Sequence, residues 1–159
     1  MSRFNISHET IINVLPVEEV WKELIAIDDW EWNKWTKLKA DNPPSEGVRG
    51  KLWASFKGNE EWKEFNFRFG RVNESEHLLT WMGGVGPKDI LFSGYHTMKL
   101  VKICEGKKTK LIHKEDFGGL LPALGLGLPF KTLDRNYLLM NEALKHCVEN
   151  NNDMKGDVV

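Results

Sequence analysis

The stretch from Pro129 to about residue 149 restricts the fold more than any other part of the chain. Phe130, Leu133, Tyr137, Met140, Leu144 and Cys147 recur at intervals of 3, 4, 3, 4 and 3. That spacing sets them on one stripe of an α-helix. At 1.5 Å per residue the helix is about 30 Å long. A stripe of that length has to lie against a surface of matching length. No second long helix is legible upstream, so the partner has to be a sheet.

Strand signals fill most of the chain before it. In residues 3–14, Phe4, Ile6, His8, Thr10, Ile12 and Val14 share one parity, and polar residues dominate the other. This predicts a strand with one buried face. Pro16 then opens a helix at 17–26, with Val17, Val20, Trp21 and Leu24 at helical spacing and Glu18 and Glu19 in its first turn. A second short helix is expected at 28–33. Strands follow at 35–41, 48–57, 61–73, 77–83, 91–103 and 108–117, each bounded by turn residues. The clearest is 61–73, where Phe65, Phe67 and Phe69 alternate with Glu64, Asn66 and Arg68. Gly83-Gly84-Val85-Gly86-Pro87-Lys88 lacks the ending of a phosphate-binding loop and reads as a hairpin loop.

Short connections predict hairpins and an antiparallel sheet. The expected fold class is α+β. A curved seven-stranded antiparallel sheet wraps round the long C-terminal helix, with two short helices after the first strand. A twisted sheet curled round a helix readily leaves a cavity between them. Residues 1–149 are expected to form one domain. Residues 150–159 have no pattern and are expected to be a disordered tail.

The 159 residues carry a formal net charge of -1, so no general field draws in nucleic acid. No apolar stretch approaches the roughly 20 residues that span a bilayer, so no integral membrane association is expected. Met1-Ser2-Arg3-Phe4-Asn5 lacks the hydrophobic run of a secretory leader, so none is expected. Cys104 and Cys147 stand in unrelated segments. Together these predict a cytoplasmic protein with two free thiols. Whether it is a monomer or a homodimer is left open.

Chemistry concentrates on the last two strands. Phe92, Gly94, His96, Met98 and Leu100 share a parity on one, and Leu111, His113, Glu115 and Phe117 on the other. If the apolar parity faces the helix, His96, His113 and Glu115 all point inward, as does His8 on the first strand. A carboxyl in an apolar interior is costly unless partnered, and its pKa rises. His96, His113 and Glu115 are therefore the candidates for acid–base chemistry or for anchoring a ligand's polar atom. Trp53, Phe65, Phe67, Phe69, Trp81, Met98 and Phe117 from the sheet, with Leu133 and Tyr137 from the helix, are candidates for the apolar wall, and His8 is a further candidate ligand contact. No HExxH and no cysteine-rich metal pattern is present; no metal and no cofactor are expected. The apolar, glycine-rich stretch 118–129 reads either as a lid beside a pocket or as a loop tucked on the core.

Three stretches also resemble a known superfamily. Ile11-Ile12-Asn13-Val14-Leu15-Pro16-Val17-Glu18-Glu19-Val20-Trp21 is similar to its strand-to-helix entry. Asp28-Asp29-Trp30-Glu31-Trp32-Asn33 is similar to its Trp-Asn stop, although Lys34 stands where many members have Pro. Gly94-Tyr95-His96 and Ile112-His113-Lys114-Glu115-Asp116-Phe117-Gly118 resemble its paired last strands. In this order they resemble the polyketide cyclase/dehydrase and lipid-transport superfamily, the START-like or SRPBCC helix-grip proteins. The resemblance implies a pocket for a hydrophobic molecule between sheet and helix, without fixing one activity. The leading expectation is binding, and with it transport, of a small hydrophobic molecule such as a lipid or a polyketide-like compound. One alternative is a cyclase or dehydratase using His113 or His96 with Glu115. Another is a protein-interaction module of the chaperone-regulator kind.

Overall fold

The computed structural model describes residues 4–14, 16–124 and 129–156. Strand β1 (Asn5–Ile12) is followed by helix α1 (Val17–Ile25) and a single 3-10 turn at Ile27–Asp29. Strands β2 (Thr36–Ala40), β3 (Arg49–Ala54), β4 (Lys63–Asn73), β5 (Leu78–Val85), β6 (Phe92–Ile103) and β7 (Lys108–Gly118) come next. A short helix α2 (Leu120–Ala123) and the long helix α3 (Phe130–Gly156) close the chain.

The local chemistry explains these elements. Pro16 caps α1, whose Val17, Val20, Trp21 and Leu24 are buried. The Trp30 indole N–H donates to the Leu24 carbonyl at 3.0 Å. The Asn33 side-chain oxygen accepts from the backbone N–H groups of Trp35 and Thr36 at 3.0 and 2.9 Å. That double capping ends the turn region and launches β2. The expected second short helix is thus one 3-10 turn, because Asn33 redirects the backbone before a further turn can form.

The seven strands form one antiparallel sheet in the order β1-β7-β6-β5-β4-β3-β2. Consecutive strands pair from β2 to β7, and β1 returns to pair with β7. This is the helix-grip arrangement that the alternation predicts. On β6, Gly94, His96, Met98 and Leu100 are buried, and on β7, Thr109, Leu111, His113, Glu115 and Phe117 are. The apolar parity does face the helix.

Two corrections concern α3. It runs on to Gly156, so residues 150–156, expected in a disordered tail, are helical; residues 157–159 lie outside the described residues. Cys147, expected on the apolar stripe, is only half-buried. The buried face turns instead through Leu133, Tyr137, Met140, Leu144 and Val148 and takes in Asn136 and Asn141. Among the described residues no helix is long and apolar enough to cross a membrane. Cys104 and Cys147 are free.

Packing divides the interior in two. The larger cluster joins α1 and the C-terminal half of α3 to Phe67, Phe69, Leu79, Trp81, Met98, Leu100 and Leu111 of the sheet. The smaller one holds Ile6, Phe117, Leu133, Tyr137 and Met140, with partly buried aromatics at its edge. The first is solid. Beside the second lies a cavity.

Candidate functional site

The cavity has a volume of about 210 Å³ and lies between the sheet and the N-terminal half of α3. Its sheet wall draws on Leu52, Ala54, Phe65, Trp81, Gly83, Phe92, His96, Glu115 and Phe117. Leu133, Asn136 and Tyr137 of α3 form the opposite wall. Small residues in the sheet leave the room. Gly83 shares the inward parity of Trp81, and a Cβ on it would approach only the Asn66 carbonyl, at 3.6 Å. Gly94, its partner across β5–β6, has its space taken by the Glu115 carboxyl, whose Oε1 stands where a side chain would begin. Gly94 is therefore the residue that admits Glu115.

The polar end of the cavity is a connected group. Tyr137 donates its hydroxyl to Glu115 Oε2. Glu115 Oε2 is 3.5 Å from Nδ1 of His96, its cross-strand partner. Nε2 of His96 is hydrogen-bonded to Nε2 of His113. Nδ1 of His113 lies 2.6 Å from Asn141 Oδ1, and Asn141 Nδ2 donates to Thr10 Oγ1 at 3.2 Å. His96 stacks on Trp81, and His113 stacks on Tyr137 with ring centroids 4.8 Å apart.

Burial governs the charges. It pushes the Glu115 carboxyl up to about 8, helped by the negative charge of Asp116. It lowers His96 to about 3. It holds His113 well below the usual imidazole value; the neighbouring His96 adds to this, and the bond to Asn141 opposes it. At neutral pH all three are uncharged. The approach of His96 to Glu115 is therefore a contact between neutral groups, and it is long for a hydrogen bond.

The sequence candidates separate accordingly. Phe65, Trp81, His96, Glu115, Phe117, Leu133 and Tyr137 stand on the cavity wall. His113 faces inward but lies behind His96, fully buried. Phe67, Phe69 and Met98 belong to the solid core, because their space is filled: Phe67 and Phe69 pack edge to face with ring centroids 5.0 Å apart, and Met98 is fully buried. His8 bonds through Nε2 to the Asp134 carbonyl and carboxylate, both at 3.0 Å, at the seam of β1 and α3. Trp53 has the parity opposite to Leu52 and Ala54, and it shares a surface cleft with Lys37, Trp62 and Glu64. It is not on the cavity wall.

Asn136, Asn141, Phe56 and Phe92 were missed. Asn141 follows Tyr137 by four residues and Leu133 by eight, so helical spacing already placed it on the buried face. Ser55 also borders the cavity, and its hydroxyl is buried without a partner. Among the described residues no group of His, Cys, Asp and Glu is arranged to hold a metal.

The stretch expected as lid or loop is partly described. Leu120 and Leu121 donate backbone N–H groups to the Ile90 and Leu91 carbonyls at 3.0 and 2.9 Å. Leu121 and Pro129 border the cavity. Val85, Ile90, Leu91, Leu120 and Leu124 are exposed. Residues 125–128 lie outside the described residues.

No protein-family model matches the chain, and no curated protein matches it. Solved structures do. The Zhui aromatase/cyclase from Streptomyces sp. R1128 aligns with a TM-score of 0.69 at 13% identity, over 92% of this chain and 93% of that one. A START superfamily protein from Mycobacterium smegmatis aligns with a TM-score of 0.69 at 16% identity, over 92% and 97%. Ara h 8.0201 aligns with a TM-score of 0.65 at 14% identity, over 92% and 98%. At such identities the likeness shows the fold. The chain has the SRPBCC or START-like fold that its motifs resemble.

Proposed function

We propose that the protein binds a small, largely apolar molecule in the cavity between its sheet and α3. The cavity carries the reading. Protein interiors pack to crystal-like density, and voids larger than a water are few. Here about 210 Å³ stays open beside a closely packed core, walled by aromatic and aliphatic groups with Glu115, His96 and Tyr137 at one end. Apolar walls with a few convergent polar groups are the general form of a small-molecule site. The volume is below the roughly 300–1,000 Å³ common for such sites. A compact ring system of the polyketide or isoprenoid kind suits it better than a two-chain lipid. The cytoplasm suits the free Cys104 and Cys147.

Native mass spectrometry of gently purified protein, set against its denatured mass, tests this. A mass excess lost on denaturation supports it and weighs the occupant. A bare mass, together with no binding of naphthalene up to its solubility, would sink it.

One observation favours an enzyme as a second reading. Glu115 keeps its proton up to about pH 8 and borders the cavity, which is the state a general acid needs. Glu115→Gln should then abolish turnover and spare affinity. If both fell together, Glu115 would be an anchor. An interaction module would call for a filled core, which the cavity does not favour.

A further inference from the structure

Hydrogen positions at the polar end of the cavity follow from one side-chain amide. Asn141 Nδ2 donates to Thr10 Oγ1, so the Asn141 oxygen is the atom turned to His113 Nδ1. An amide oxygen only accepts. Nδ1 of His113 therefore carries the hydrogen. His113 is neutral, so its Nε2 is bare, and Nε2 of His96 must donate to it. His96 is neutral as well. Its Nδ1 is then a bare lone pair facing Glu115 Oε2. A carboxylate there would set lone pair against lone pair, whereas a protonated carboxyl can aim its hydrogen at the ring.

The donors of the histidine cluster are thus turned along the cluster itself. Tyr137 gives its hydrogen to Glu115, Glu115 turns its own toward His96, His96 gives to His113, and His113 gives to Asn141. Asn136 gives one of its two N–H groups to the Phe56 carbonyl at 3.0 Å. At the cluster itself, lone pairs on Glu115 and Tyr137 are what remain for an occupant; the unpartnered Ser55 hydroxyl and the second Asn136 N–H also lie on the cavity wall. Among the described residues no Lys or Arg borders the cavity.

We infer that the Glu115–Tyr137 end of the cavity takes an occupant whose polar group is a hydrogen-bond donor, a phenol, an alcohol or an N–H, in preference to carboxylates and other anions of the same size. Asn141 does not touch the cavity; it is the positioning residue that sets this polarity through two imidazoles. The inference deepens the binding reading above and rests on it.

Three probes of one ring size separate the two: naphthalene, 2-naphthol and 2-naphthoate, titrated at pH 7 by heteronuclear NMR. Naphthol should bind about tenfold more tightly than naphthalene, the worth of one net hydrogen bond. Naphthoate should bind at least about tenfold more weakly than naphthol, because the polar end offers it no cation and the cluster offers it no donor. Naphthol no tighter than naphthalene, or naphthoate as tight as naphthol, overturns the inference and leaves the binding reading standing. Failure of all three overturns both. The imidazole ¹⁵N shifts of the free protein are an independent check. They should report an Nε2–H tautomer for His96 and an Nδ1–H tautomer for His113, and the opposite pair would overturn the inference without any ligand. Asn141→Leu should release the His113 tautomer and shrink the naphthol-to-naphthoate ratio. A folded variant with an unchanged ratio would remove Asn141 from the account.

Discussion

His96 lies flat on Trp81, with ring centroids 4.1 Å apart and planes 11° from parallel. The two are partners across β5–β6. Tyr137 meets the imidazole edge-on at 5.0 Å, and His113 closes another side at 4.6 Å. A ring so enclosed has no water to support a charge, and its pKa falls to about 3. The His96 ring proton signals should therefore stay fixed from pH 7, below the Glu115 midpoint, to pH 5, where a free imidazole moves with a midpoint near 6.5. An NMR titration checks this, and a midpoint above pH 5 would contradict the enclosure.

Stability should depend on pH through the same cluster. The Glu115 carboxyl is raised from 4.5 to about 8. Its contribution is complete below 4.5 and is lost as pH rises through 8. His96 is lowered from 6.5 to about 3. Its contribution is complete above 6.5 and is lost as pH falls through 3. Between 4.5 and 6.5 the two slopes oppose. Above 6.5 the Glu115 slope acts without that opposition, at up to about 1.4 kcal/mol per pH unit. The Tm should fall from pH 6.5 to pH 8 and then level. Glu115→Gln keeps the shape of the neutral acid, so its Tm should be flat over that range. A wild-type decline that persists in the variant would place its cause elsewhere.

Filling the cavity should cost binding but not folding. Gly83 faces open space on an inward strand position, and a β-branched residue suits a strand. Gly83→Val should weaken naphthalene binding by about tenfold or more, while Tm stays level or rises. Binding unchanged in a variant with native circular dichroism would mean that the occupant sits elsewhere.

Gly94 should behave in the opposite way. Its missing side chain is where Glu115 Oε1 lies. Gly94→Ala should push the carboxyl off its place and break its bond from Tyr137, lowering stability by about 1–3 kcal/mol. Urea unfolding of Gly94→Ala beside Gly94→Ala/Glu115→Ala checks the cause, because the second change should recover part of the loss.

The two halves of α3 should differ in their tolerance. Leu144 is fully buried in the solid cluster, and Leu144→Ala should cost about 2–5 kcal/mol. Leu133 borders the cavity and has fewer partner atoms on that side. Leu133→Ala should cost less than Leu144→Ala in the same urea experiment, and equal costs would argue that the cavity collapses around it.

Strand alternation and helix spacing made most of the fold legible. Period-two patterns placed His96, His113, Glu115 and Phe117 on the buried face, where the structure has them. Parity reports a face, however, and not a depth. Phe65, Phe67 and Phe69 share one parity, yet only Phe65 borders the cavity while Phe67 and Phe69 are core. The difference is which distant segments pack over each ring, and parity does not carry that. Trp53 shows the reverse case, since its parity already set it against Leu52 and Ala54. Asn141 was on the buried face by spacing but is polar, and its role depends on Thr10 and His113, far away in the chain.

The sequence by itself determined the seven strands, their facing, the long helix and the polar residues turned inward, because each of these follows from local periodicity and turn chemistry. Only the tertiary structure decided that β1 pairs with β7, that His113 stands behind His96, and that Gly83 opens a cavity while Gly94 admits a carboxyl. Those outcomes depend on which distant groups share a low-dielectric space. The same sharing sets the charge state of Glu115 and the tautomers of both histidines, which no single segment contains.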